Sequence, residues 1–269
     1  MTARRRTLVL AAVVASTLLV SATGCSAEPS VPKLFAPGAV ADYQLAGAYE
    51  PTADVAVVVR DASDQPLGGA YSICYINGFQ SQPGQRWPNE LLLRNAEGDP
   101  VIDPNWPDET LLDIRTAHNR AAIAERLTPV VAQCAATGFD AVEFDNLDSY
   151  TRSGGVLSRE DAIAMATLLV AAGHENSLAV AQKNSAELLG QAASDIGFDF
   201  VIVEECDQFS ECTDFTEVYG DAVINVEYTD DLRRPFSEVC ADVATPRTTI
   251  LRDRNLTPPS SPKHVFEHC

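Results

Sequence analysis

Basic residues are scarce in this 269-residue chain: 19 Lys and Arg stand against 38 Asp and Glu, a net charge of −19. Without Arg4, Arg5 and Arg6, which cluster near the start, the balance is 16 to 38, about −22. Nucleic acid and anionic lipid surfaces are therefore poor partners, because phosphate recognition needs charge of the opposite sign. A cationic ligand would be attracted. No Cys-x-x-Cys occurs, and the four His residues (His118, His174, His264, His268) are scattered, which argues against a zinc site. No internal repeat and no low-complexity core segment is visible. The one long apolar run, Thr7 to Val20, is too short for a stable membrane span.

That run follows the three arginines and precedes Ser21-Ala22-Thr23-Gly24, the order of a secretory signal. Small residues directly before Cys25 resemble the bacterial lipoprotein processing site, with Ala22 where Leu is usual. The resemblance implies cleavage before Cys25 and lipidation of its thiol. The expected organisation is a signal over 1–24, a lipidated Cys and Pro-rich linker over 25–40, and one domain over 41–269. The product is exported, either tethered to the bacterial membrane as a cell-surface lipoprotein or secreted. Six further cysteines remain: Cys74, Cys134, Cys206, Cys212, Cys240 and Cys269. An even number in an exported chain points to disulfides, with the pairing left open. Cys206 and Cys212 could close a small loop, and Cys269 could tie down the end of the chain.

Roughly 240 residues suit one large α/β domain. Short apolar strands are expected at Tyr43–Ala46, Val55–Val59, Tyr71–Ile76, Ala141–Asp145, Leu178–Gln182, Phe200–Val203, Ala222–Val226 and Thr249–Leu251. Helical spacing appears at Asn119–Thr137, Ser158–His174, Ala186–Asp195, Asp214–Tyr219 and Pro235–Ala241. Eight strands mostly separated by helices favour a single-domain (β/α)8 TIM barrel. Arg60–Ala70 leaves little room for a helix, and the segment after the third strand is a long loop. Long loops in compact domains are usually functional.

In such a barrel the chemistry sits at the C-terminal ends of the strands. Gly138 to Tyr150 opens as a buried strand and then sets Glu143, Asp145 and Asp148 close together. Buried carboxylates are costly unless they are paired or used. The other strand ends add Asn77, Lys183, Asn184, Glu204, Glu205, Glu227, Tyr228, Arg252 and Asp253. Carboxylates from different strands suit glycoside hydrolysis, where one must donate a proton and another must attack or activate water. Tyr75, Phe79, Trp87, Trp106, Tyr150 and Tyr228 are rim aromatics able to stack on sugar faces. By period two, Glu143 faces the same way as Asp145 one layer deeper, and needs a partner such as Lys183 or Arg115.

Several motifs together resemble glycoside hydrolase family 114, the endo-α-1,4-polygalactosaminidase-like barrels. They are Tyr43-Gln44-Leu45 with Gly47, Cys74-Tyr75-Ile76-Asn77-Gly78, Leu112-Asp113-Ile114-Arg115, Glu143-Phe144-Asp145-Asn146, Lys183-Asn184, Glu204-Glu205-Cys206 and Val226-Glu227-Tyr228. The resemblance covers Tyr43 to about Leu256. It implies retaining cleavage of α-1,4-linked, galactosamine-rich and partly cationic polysaccharide, with Asp145 as nucleophile and Glu204, rather than Glu205, as acid/base. Tyr75, Asp113, Arg115, Glu143, Asn146, Asp148, Lys183, Asn184, Glu205, Glu227 and Tyr228 would bind or orient the substrate. The family's habit implies disulfides Cys74–Cys134, Cys206–Cys212 and Cys240–Cys269. No cofactor is implied, no metal is expected, and the protein is expected to be a monomer. Phe144 stands where Pro is common. Two alternatives remain: a non-catalytic carbohydrate-binding lipoprotein on the same barrel, and a metal-dependent hydrolase using Asp145, Asp148 and Glu204 as ligands.

Overall fold

The computed structural model describes residues 32–269. The expected signal segment and Cys25 lie outside them. Eight strands run parallel in chain order, each paired with the next: β1 (Val40–Gln44), β2 (Val55–Asp61), β3 (Tyr71–Asn77), β4 (Ala141–Asp145), β5 (Ala179–Lys183), β6 (Phe200–Glu204), β7 (Val223–Tyr228) and β8 (Thr248–Arg252). They form the expected TIM-like barrel. β1 starts three residues before the expected Tyr43, and a ninth strand, β9 (Phe266–His268), pairs antiparallel with β8. β9 carries no apolar alternation because two of its three residues are exposed.

Period two divides the strand residues between two cores. Tyr43, Val57, Val59, Ile73, Tyr75, Ala141, Ala181, Ile202, Ile224, Val226 and Tyr228 fill the barrel interior. Cys74, Ile76, Val142, Phe144 and Val180 face outward against the helices. The main outer helices are α1 (Ala117–Thr137) and α3 (Arg159–Glu175), with the short α2 (Ser149–Arg152) between them. Thr116 caps α1 by accepting from the Asn119 amide, and Gly138 ends it at φ 101°, a conformation that favours glycine. Ser158 and Asp161 close a reciprocal capping box on α3.

The expected helix over Ala186–Asp195 is instead a broken run of 3-10, α and π turns ending at Ile196. Gly190 lies inside its one α turn, Leu189–Gln191, where it costs about 1 kcal/mol of helix propensity against Ala. The long segment after β3 is not loose. Antiparallel bridges such as Gln80–Leu111 and Ile102–Thr110 fold it into an arm, and Phe79, Leu93, Leu111, Leu112 and Ile114 bury its base. Phe35, within the expected linker, is also buried, edge-on to Tyr71 and Phe200. The packed chain therefore begins before residue 41.

Three disulfides form, Cys74–Cys134, Cys206–Cys212 and Cys240–Cys269. They fit an exported protein. Arg252, expected at the rim, is fully buried. Its Nη1 lies 2.6 Å from Asp42 Oδ1 and also donates to the Tyr43 carbonyl, joining β8 to β1. Arg252→Met should cost about 3 kcal/mol, read by chemical denaturation, because Asp42 would keep only the Gln44 and Tyr49 donors in a buried site.

Candidate active site

The inward face of the strands turns polar in its last layer. One step beyond Ala141 and Glu143 comes Asp145; beyond Ala181, Lys183; beyond Ile202, Glu204; beyond Val226, Tyr228. Parallel pairing brings these positions to one end of the barrel. Lys183 sits among three carboxylates. Its ammonium is 3.1 Å from Asp145, 3.2 Å from Glu204 and 3.5 Å from Glu143. The Asp145 and Glu204 oxygens that share it are thus at most about 6.3 Å apart, 3.1 plus 3.2.

Each carboxylate is held separately. Asp145 Oδ2 accepts from the Tyr75 hydroxyl at 2.6 Å, and Oδ1 accepts from the Asn146 amide at 2.7 Å. Glu204 Oε2 accepts from Asn184 Nδ2 at 3.1 Å, and its Oε1 accepts from the Tyr228 hydroxyl. Glu143 Oε1 accepts from the Tyr43 hydroxyl at 2.8 Å, while its buried Oε2 has no hydrogen-bond partner. The side chains of Asp145 and Glu204 are 18% and 27% exposed, and that of Glu143 is 0%. Two of the three therefore face a cleft of about 660 Å³, and the third lies beneath it.

The charges follow from this packing. Burial alone would raise Asp145, but Lys183, Tyr75 and the Asn146 amide outweigh it and hold the carboxyl below its usual range. Burial pushes Glu143 up to about 7, and Lys183 offsets only part of that. Burial opposes the Lys183 ammonium, yet Asp145, Glu204 and Glu143 raise its pKa well above the ordinary value. Burial and the neighbouring carboxylates likewise keep Tyr43, Tyr75 and Tyr228 protonated.

Glu143 makes a pH prediction. A carboxyl whose folded pKa is raised binds its proton more tightly when folded. Its contribution is complete below the ordinary glutamate value of 4.5 and is lost as pH rises toward about 7. Between pH 5 and 8 the wild type should lose on the order of 3 kcal/mol relative to Glu143→Gln. Denaturant midpoints of both proteins at the two pH values check this.

Of the other expected site residues, Tyr75, Asn146, Asp148, Lys183, Asn184 and Tyr228 line the cleft. Asn146 and Asn184 take positive φ where the chain leaves β4 and β5, a conformation Asn tolerates. Asp113 and Arg115 do not line it. They pair with each other at 2.8 Å on the arm, so the partner of Glu143 is Lys183 and not Arg115. Glu205 also turns away. It sits at φ 62°, bonded to Arg254 at 2.6 Å, because the chain bends sharply after β6. Glu227 is buried off the cleft and accepts from the Asp207 amide and Asn225. The ligand trio Asp145, Asp148 and Glu204 is not assembled: Asp148 pairs with Arg152 at 2.6 Å, and Lys183 occupies the space between the other two. Sequence reasoning missed Asp61, Glu109, Arg152 and Arg254 on the cleft wall. The spacing of Asp148 and Arg152, four residues apart, was the one signal for Arg152.

A model of glycoside-hydrolase family GH114 matches residues 22–269. The chain belongs to family GH114. Among solved structures, this GH114 member is similar to Ega3 of Aspergillus fumigatus, determined in complex with galactosamine. The identity is 20% and the TM-score 0.71, over 91% of this chain and 100% of that one. The glycoside hydrolase domain of PelA from Pseudomonas aeruginosa is similar at 13% identity and TM-score 0.56, over 84% and 97% of the two chains. These likenesses establish the shared fold. Among curated proteins, no sequence matches this GH114 chain significantly.

Proposed function

We propose that this GH114 protein cleaves α-1,4-linked, galactosamine-rich polysaccharide by a retaining mechanism, with Asp145 as nucleophile and Glu204 as acid/base. The observation that carries it is the shared Lys183, which keeps one oxygen of Asp145 and one oxygen of Glu204 within about 6.3 Å of each other. That bound admits the separation of about 5–5.5 Å that retaining pairs take. Asp145, ionised and gripped by three donors, would attack the anomeric carbon as Glu204, having taken up a proton from solvent in the substrate complex, gives that proton to the departing oxygen. Lys183, Asn184 and Tyr228 would receive the charge left on Glu204. Glu204 would then take a proton from the water that releases the sugar from Asp145.

The galactosamine preference is supported by family membership, by the ligand of the similar Ega3 structure and by the protein's acidity. In the same reading the protein is a monomer, exported and held at the bacterial membrane through a lipid on Cys25. The signal-like start and the three disulfides support export.

The test is release of oligosaccharides from a panel of galactosamine and galactose polymers. Turnover on the galactosamine polymers, surviving exhaustive chelation, is expected. Binding without release on every polymer would leave a non-catalytic carbohydrate binder instead.

A further inference from the structure

Most carboxylates on the cleft wall are already neutralised. Asp145 and Glu204 share Lys183, and Asp148 has Arg152. Arg254, the other cleft cation, is committed to Glu205 and Asp230. Asp61 has no ion pair among the described residues, but its Oδ1 accepts from the Ser63 amide and hydroxyl beside it in the chain. Glu109, on the arm between β3 and α1, differs. Its Oε2 accepts from two neutral amides, Asn77 Nδ2 at 3.1 Å and Gln80 Nε2 at 3.0 Å. Its Oε1 takes no donor among the described residues and is not buried. Glu109 is half-buried, has no ion pair among the described residues, and lines the cleft.

The position is built rather than accidental. The Glu109 amide donates to the Trp106 carbonyl at 2.9 Å, closing a turn at the tip of the arm. Asp103 Oδ1 accepts from the amides of Asn105 and Trp106, and Arg152 fixes Asp103 at 2.6 Å. The tip is thus pinned to α2. Trp106 also lines the cleft and is 57% exposed as a residue, so it is not part of the core. Asn77, which grips Glu109, is the register partner of Asp145. One side chain therefore links the open carboxylate to the strand pair that carries the proposed nucleophile.

We propose that Glu109 recognises a protonated amino group on the bound sugar, with Trp106 beside it as the platform for the sugar's apolar face. The site thereby selects chains with free amines over N-acetylated ones. This rests on the polysaccharide reading of the cleft and adds a specificity residue to it. Burial, together with the charges of Asp145 and Asp103, pushes the Glu109 carboxyl up, against the two amides that lower it. A cationic sugar would relieve that repulsion. An N-acetyl group would offer no charge and would add bulk.

The test compares binding of a short α-1,4 oligogalactosamine with its N-acetylated counterpart, by calorimetry on the whole chain at mildly acidic pH. Wild type should bind the free-amine oligomer about ten-fold tighter or more, with a preference that weakens as salt rises. Glu109→Gln keeps a carbonyl for Asn77 and Gln80 but removes the charge, and should bring the ratio near one. Trp106→Ala should weaken both ligands and leave the ratio standing. A ratio that survives Glu109→Gln, an absent preference in wild type, or failure to bind either oligomer overturns the proposal. The hydrolase reading fails separately: Glu109-dependent binding without turnover refutes catalysis alone, and turnover with an unmoved ratio refutes this inference alone.

Discussion

Asp145→Asn should lower turnover of galactosamine polymer by on the order of 10⁴-fold or more while leaving the protein folded. The substitution preserves shape. The amide oxygen can still accept from Tyr75, but no anion remains to attack the anomeric carbon. The fold should tolerate it because Lys183 keeps Glu143 and Glu204 as counter-ions. Glu204→Gln should cost less, about 10²- to 10⁴-fold, since it removes proton transfer and not the nucleophile. Steady-state rates, with circular dichroism to confirm folding, separate the two. Equal activity in wild type and Asp145→Asn would remove Asp145 from the mechanism.

Lys183→Met should cost about 5 kcal/mol of stability, at the upper end for breaking a buried ion cluster. Three carboxylates lose their shared cation at once, and Glu143, with no exposed surface, lies deep enough that water cannot replace it. The sign of Asp145's own contribution to the pH response should also change. In wild type the depressed Asp145 contributes stability above the ordinary aspartate value of 3.8, and that stability is lost as pH falls through its folded value. Without Lys183, burial raises Asp145, so the variant should gain stability on acidification as its carboxylates take up protons. The acidic limb of the rate profile should move upward too, because the nucleophile stays protonated to higher pH. Denaturation from acidic to neutral pH and a pH–rate profile measure both effects. A variant as stable as wild type with an unmoved acidic limb would mean that Lys183 is not the cluster's counter-ion.

The barrel was legible because buried parallel strands and capped helices leave local marks. The Val55–Val59 run, the Ser158 cap and Gly138 each act over a few residues, and each fell where expected. The core of the site was legible for the same reason: period two carries Glu143 to Asp145, and family motifs mark Lys183 and Glu204. What the sequence hid depends on long-range geometry. Asp113 and Arg115 pair locally, two residues apart, and what hid their place is that the arm carries the pair away from the cleft. Nothing near Glu205 tells that the chain turns left-handed and sends its side chain to Arg254. Arg252 read as a rim residue, although its partner Asp42 lies at the other end of the chain. Glu109 reaches the cleft only because the arm folds back over β3, and the bridges that fold it are isolated pairs with no strand pattern.

The most direct measurement is the anomeric configuration of the first sugar released, followed by proton NMR during digestion of an α-1,4 galactosamine polymer by wild type and Asp145→Asn. Wild type should release the α-anomer before mutarotation, and Asp145→Asn should release nothing measurable. Release of the β-anomer first, or unchanged release by Asp145→Asn, would contradict the pairing of Asp145 with Glu204.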